Sequence, residues 1–207
     1  MNAKKLSFLL LILVAVACTN RSTSSEQDEM RHWNNVLQQI NALLLENKAR
    51  QTLDLAKQTL PEILESAEKN GTTDTLIYYA RKIFNACGNN YINTKQYKDG
   101  IDYMDSIGNH PLIREHCPHE LLSFKAGLNQ LYGNNPEAVR LAENYLQLPV
   151  CTSANDFIRQ AEIISGVYMY SGNNLPKAIQ ILEKAIDVYR KGGNFPNMLR
   201  IMSRLGI

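Results

Sequence analysis

Residues 132–145 read YGNNPEAVRLAENY, and residues 171–185 read SGNNLPKAIQILEKA. The same order of Gly-Asn-Asn, Pro and Ala occurs twice, and each member has a local physical job. Gly enters the left-handed backbone region at little cost and ends a helix there. Asn tolerates the same region and caps helix starts. Pro suits the first helical turn, where its missing N–H is not needed. The stretch therefore reads as helix stop, turn and helix start. Pro136 and Pro176 are 40 residues apart, as are Ala138 and Ala178; Leu175 reads as an insertion that brings Gly133 and Gly172 to a spacing of 39.

The register extends along the chain. Ala126, Gly166 and Gly206 are spaced by 40, and Ala178, Leu182 and Ala185 fall on one helical face. An upstream copy holds Gly88, Tyr91, Tyr97, Gly100, Met104 and Ile107, and a weaker one holds Leu37, Ala49, Leu53 and Ala56. Small residues let two helices approach, and larger apolar residues fill the space between them. Alternating Val and Ile runs are absent, whereas Leu, Ala, Lys, Gln and Glu recur at helical spacing, so the chain reads as all-α. The predicted helices are 32–46, 48–69, 74–93, 96–108, 119–132, 136–147, 155–171, 175–191 and 196–206.

This pattern resembles the tetratricopeptide repeat. Gly88 with Tyr91, and Gly166 with Ala178, Leu182 and Ala185, carry the likeness over roughly residues 32–207. The period here is about 40 rather than the usual ~34, Tyr145 replaces the last Ala of the third copy, and Arg190 stands where the family has its closing Pro. The resemblance implies an α-solenoid of antiparallel helix pairs, each burying its face on the next. It further implies a ligand groove lined by Lys82, Asn85, Asn89, Asn93, Glu120, Ser123, Gln130, Gln160 and Tyr170. Amide side chains both donate and accept, which suits extended peptide backbone or sugar hydroxyls. The basic carboxylate clamp of chaperone-binding relatives is absent, because Glu120 and Ser123 occupy positions where cations would be needed.

The N-terminus reads as an address. MNAKKLSFLLLILVAVAC places Lys4 and Lys5 before an apolar run from Phe8 to Ala17, followed by Cys18. The run is too short to span a bilayer comfortably and fits a signal peptide over residues 1–17. Ala15, Val16, Ala17 and Cys18 resemble the lipobox of bacterial lipoproteins, with Ala15 where Leu is usual. That resemblance implies lipidation of Cys18, a membrane anchor, and exposure to the periplasm or cell surface; an ordinary secretory signal cleaved near Ala17 also fits the residues. Residues 18–31 are then a flexible tether, and TNRSTSSEQDE within it holds no large apolar side chain. Removing Lys4 and Lys5 from the formal net charge of +2 leaves 20 basic residues against 20 acidic ones. Such a balance, with no long basic run, argues against nucleic acid as a partner.

The last residues, LRIMSRLGI, carry an apolar stripe of Met198, Leu199, Ile201, Met202, Leu205 and Ile207. Either this half-pair caps the repeats by packing on helix 175–191, or it awaits a partner helix. In the second case the stripe predicts self-association or a longer protein. Longer bacterial proteins that begin this way resemble sensor kinases and membrane-bound transcriptional regulators, whose periplasmic repeats form the sensory front half.

Chemistry-bearing clusters are sparse. His110, His116, Cys117 and His119 fit no zinc spacing and read as a solvated loop. Cys87, beside a packing glycine, reads as a small buried hydrophobe. Cys117 and Cys151 fall in loops on one edge, where an oxidising compartment would permit pairing if disulfide geometry allows. His119-Glu120 lacks the second histidine of a zincin helix, Ser165-Gly166 lacks a nucleophile elbow, and there is no phosphate-cradling glycine loop. The expectation is a non-catalytic protein, without cofactor or metal, that binds a protein or peptide.

Overall fold

In the computed structural model, which describes residues 27–149 and 154–191 together with positions 196, 198, 199, 202 and 203, every regular element is helical. The helices are α1 (27–45), α2 (Ala49–Asn70), α3 (Asp74–Asn93), α4 (Tyr97–Ile107), α5 (Pro111–His116), α6 (Pro118–Tyr132), α7 (Asn135–Gln147), α8 (Ala154–Tyr170) and α9 (Leu175–Lys191). No strand occurs among the described residues. The signal peptide, Cys18, residues 19–26, Cys151, Leu205 and most of the helix expected at 196–206 lie outside them.

The turns show why the helices stop. Left-handed residues follow α1, α3 and α6 at Asn47 (φ 56°), Lys95 (φ 59°) and Gly133 (φ 95°). In all three turns the same two hydrogen bonds close the end. Asn47, Lys95 and Gly133 donate to Leu44, Ile92 and Gln130, and the next residues, Lys48, Gln96 and Asn134, donate to Leu43, Tyr91 and Asn129. This double closure satisfies carbonyls that the helix would otherwise orphan. After α8 the left-handed residue is Asn173 (φ 45°), not Gly172. Gly133 and Asn173 are 40 apart, so the backbone keeps the period of the prolines, and Leu175 takes the place of Asn135 rather than being inserted.

Two expectations change. Residues 27–31 are helical, so α1 reaches into the stretch expected to be tether. Glu29 accepts a hydrogen bond of 2.8 Å from Ser66, which ties this stretch to α2. The loop expected between 108 and 119 contains α5 and the start of α6. Pro111 and Pro118 occupy first-turn positions, the His110 imidazole accepts from the Leu112 N–H at 3.2 Å, and Leu112 and Ile113 are buried.

Consecutive helices pair: α2 packs along α3, α6 along α7, and α8 along α9, while α6 also lies against α3, α4 and α8. One apolar core runs from Trp33 and Val36 of α1 to Phe124 and Leu128 of α6. A second runs from Ala126 of α6 to Ile186 of α9, with Met198 and Met202 packed against it. Helix α6 is thus the wall between the two cores. Ala178, Leu182 and Ala185 are buried on one face of α9, as the repeat predicts.

Glycines set how closely these helices approach. A Cβ on Gly88 would lie 2.4 Å from the Phe124 ring, and one on Gly127 would lie 2.6 Å from Ile163. Gly88 therefore admits α6 against α3, and Gly127 admits α8 against α6. The described part of α1 contains no glycine, and a cleft lies between it and α3.

Candidate binding cleft

The N-terminal end of α3 is set by Thr73, whose hydroxyl accepts from the Leu76 N–H, and by Asp74 in the first turn. From there the helix divides by face. Leu76, Ala80, Ile83, Phe84, Cys87 and Tyr91 are buried in the first core. On the face turned toward α1, Tyr78, Lys82, Asn85, Asn89 and Asn93 follow one another at steps of three or four residues and line a cleft of 510 Å³. Leu37, Ile40 and Leu44 of α1 form the opposing apolar wall, with Asn41 among them. Among the described residues the lining contains one cation, Lys82, five asparagines and no carboxylate.

Helical rise places Asn85, Asn89 and Asn93 at steps of about 6 Å. Alternate residues of an extended peptide repeat every ~6.6 Å. A row of amides at that pitch can donate to carbonyls and accept from N–H groups of a strand laid along it. Tyr78 is half-exposed at the near end, with the Lys82 ammonium 5.7 Å from its ring centroid.

Of the residues expected to line a groove, Lys82, Asn85, Asn89 and Asn93 are brought together here. Glu120, Ser123 and Gln160 are not offered to solvent: all three are buried. Glu120 lies 3.2 Å from the Arg81 guanidinium, which also donates to the His116 carbonyl. Ser123 donates to the Glu120 carbonyl, and Gln160 accepts from the Tyr145 hydroxyl at 3.4 Å. Lys82, Glu120 and Gln160 stand at equivalent repeat positions, 38 and 40 residues apart. The close approach that Gly88 and Gly127 permit closes over the second and third of them. Gln130 is half-buried on α6 and Tyr170 is exposed at the end of α8, both outside the cleft lining.

Sequence reasoning missed Asn90, Asn41, Tyr78 and the α1 wall. Asn90 is fully buried, donates from Nδ2 to the Ala86 carbonyl at 2.8 Å, and has no partner at Oδ1. Its side chain is nonetheless part of the cleft lining.

A second concavity of 340 Å³ lies between α7 and α9, lined mainly by apolar groups including Tyr145, Leu146, Ile181 and Val188. His119 stands at its edge, 2.7 Å from the Pro149 carbonyl and edge-on to the Tyr145 ring. The histidines do not converge. His110 faces Glu68 at 3.2 Å, and no three-residue metal cluster occurs among the described residues. Cys117 is buried at the α5–α6 junction. Cys87 is buried with its sulfur 3.7 Å from the Tyr103 hydroxyl, and burial pushes its thiol up to about 12, so it stays neutral. Comparison with protein-family models gives no match, and comparison with curated proteins gives none either.

Proposed function

We propose that this is a non-catalytic binding protein whose α1–α3 cleft holds an extended peptide or protein segment. The observation that carries this is the amide row of α3 facing an apolar wall on α1. Such a cleft bonds main chain on one side and buries alternate side chains on the other. The sequential pairing of helices and the recurrent left-handed closures support a tetratricopeptide-like solenoid as the scaffold. The Lys-apolar-small-Cys order at the N-terminus supports export and a lipid anchor at Cys18. In this reading the cleft works outside the cytoplasm, at a membrane surface.

The binding test uses the full chain in detergent and fluorescein-labelled (Ser-Leu)4-amide, whose leucines would face α1 while its backbone meets α3. Fluorescence anisotropy should rise on titration, and Asn85→Ala with Asn89→Ala should weaken binding at least ~10-fold, the loss of two net hydrogen bonds. Unchanged binding by the double variant would refute the site. Saturation by a cello-oligosaccharide with no response to peptide would make it a glycan cleft instead. For the anchor, Cys18→Ala should abolish membrane attachment on fractionation; a variant as firmly membrane-bound and as fully processed as the parent would refute lipidation.

A further inference from the structure

Among the described residues two helical asparagines are buried, and only one is satisfied. Asn129 on α6 donates from Nδ2 to the Lys125 carbonyl at 2.8 Å and accepts at Oδ1 from the Asn134 amide at 3.1 Å. Asn90 on α3 makes the same backward bond, to Ala86 at 2.8 Å, yet its Oδ1 has no partner. The amide orientation follows from chemistry. A carbonyl four residues back can only accept, so the NH2 must face it and the oxygen must face away. Buried acceptors are normally paired. This one belongs to a residue that lines the cleft together with Leu37, Ile40 and Leu44 of α1 and Asn89 and Asn93 of α3.

We infer that Asn90 is the specificity-determining acceptor of the cleft, and that the ligand inserts a side-chain hydrogen-bond donor, a hydroxyl or amide on a short stem, between α1 and α3. The inference rests on the peptide reading above and deepens it. Asn85 and Asn89 are part-exposed whereas Asn90 is buried, so a Ser, Thr or Asn side chain pointing inward reaches further toward it than a main-chain N–H bonded to the outer amides. A carboxylate on the same stem has nothing to donate and meets no buried cation in the lining. The apolar wall excludes water from the bond, so an inserted group that cannot donate leaves the acceptor unpaired.

The experiment compares fluorescein-labelled (Ser-Leu)4-amide with its Ala-Leu and Asp-Leu counterparts on the full chain. The wild type should prefer the serine peptide over both by about tenfold. In Asn90→Leu the preference for serine over alanine should fall below ~3-fold, whatever the change in absolute affinity. A helical circular-dichroism spectrum and a cooperative melt like those of the parent certify the fold. Asn90→Ser is the second variant; its hydroxyl can turn back on the Ala86 carbonyl, as those of Thr52 and Thr59 do on Lys48 and Leu55. It should lose the preference in the same way. Equal binding of serine and alanine peptides by wild type, or a preference that survives both variants, overturns the role of Asn90 and leaves the peptide reading standing. No binding of any peptide overturns both.

Discussion

Gly88→Ala and Gly166→Ala make the same chemical change at matching positions of the repeat, and the structure predicts opposite outcomes. In a helix interior, Ala is favoured over Gly by roughly 1 kcal/mol. At Gly88 the new methyl would meet three carbons of the Phe124 ring at 2.4, 2.5 and 2.6 Å. Favourable carbon contacts lie at about 3.5–4.0 Å, so the ring would have to retreat by about 1 Å. It has nowhere to go. Phe124 is fully buried and meets Phe84 edge-on, with ring centroids 6.2 Å apart. Overpacking of this kind costs about 1–3 kcal/mol, and three contacts with a rigid ring put it toward the upper end. The net for Gly88→Ala is a loss of roughly 1–2 kcal/mol after the propensity gain. At Gly166 the nearest atom to the new methyl among the described residues is Gln130 Oε1 at 3.9 Å, so no described neighbour opposes the propensity gain, about 0.5–1 kcal/mol of added stability. Urea denaturation followed by circular dichroism at 222 nm measures both. Adding Phe124→Leu to Gly88→Ala should recover part of the loss, seen as a favourable coupling in the double-mutant cycle. A Gly88→Ala protein as stable as its parent would sink the argument that this glycine sets the α3–α6 distance.

Ala178→Arg should prevent stable folding or cost more than ~4 kcal/mol, because a charge would enter a fully buried small-residue contact; an unchanged melting temperature would show the register to be wrong. Arg81→Met should cost about 3 kcal/mol by removing the guanidinium from the buried Glu120 carboxylate, and Glu120→Gln in that background should restore part of it. Cys87 should make the fold sensitive to alkali. The unfolded thiol loses its proton near 9.0, whereas the folded one holds it to about 12. Between those values the folded state binds more protons, so stability falls as pH rises, by up to ~1.4 kcal/mol per pH unit. The difference in denaturation midpoint between wild type and Cys87→Val should widen in that window, and a pH-independent difference would refute the cause.

Much of the helical layout was legible because its determinants are local. Apolar residues at helical spacing, a helix-ending glycine, and prolines that start helices act within one or two turns, so α2, α3, α7 and α9 fall within a residue or so of where the periodicity puts them. Residues 109–118 were harder, because His110 and two prolines look like loop until Leu112 and Ile113 have a core to enter. Identical local text also took different structures. Gly88-Asn89-Asn90 is the same tripeptide as Gly133-Asn134-Asn135, yet the first lies within α3 and the second ends α6.

The cleft was legible only in part. Lys82, Asn85, Asn89 and Asn93 share a helical face by spacing alone, so the sequence sufficed to group them. Their repeat counterparts, Glu120 and Ser123 on α6 and Gln160 on α8, take the equivalent face of their own helices by the same arithmetic and are buried. The difference lies in what faces each helix about 40 residues away: Phe124 enters the space over Gly88 and Ile163 the space over Gly127, while a cleft of 510 Å³ lies between α1 and the amide face of α3. The unpaired Oδ1 of Asn90 is of the same kind, since whether a buried amide finds a donor depends on the neighbours that folding assembles around it. Sequence alone thus determined which residues are helical and which lie on one face, because those are properties of a single turn; only the tertiary structure decided which faces close and which stay open, because that depends on the distance between helices far apart in the chain.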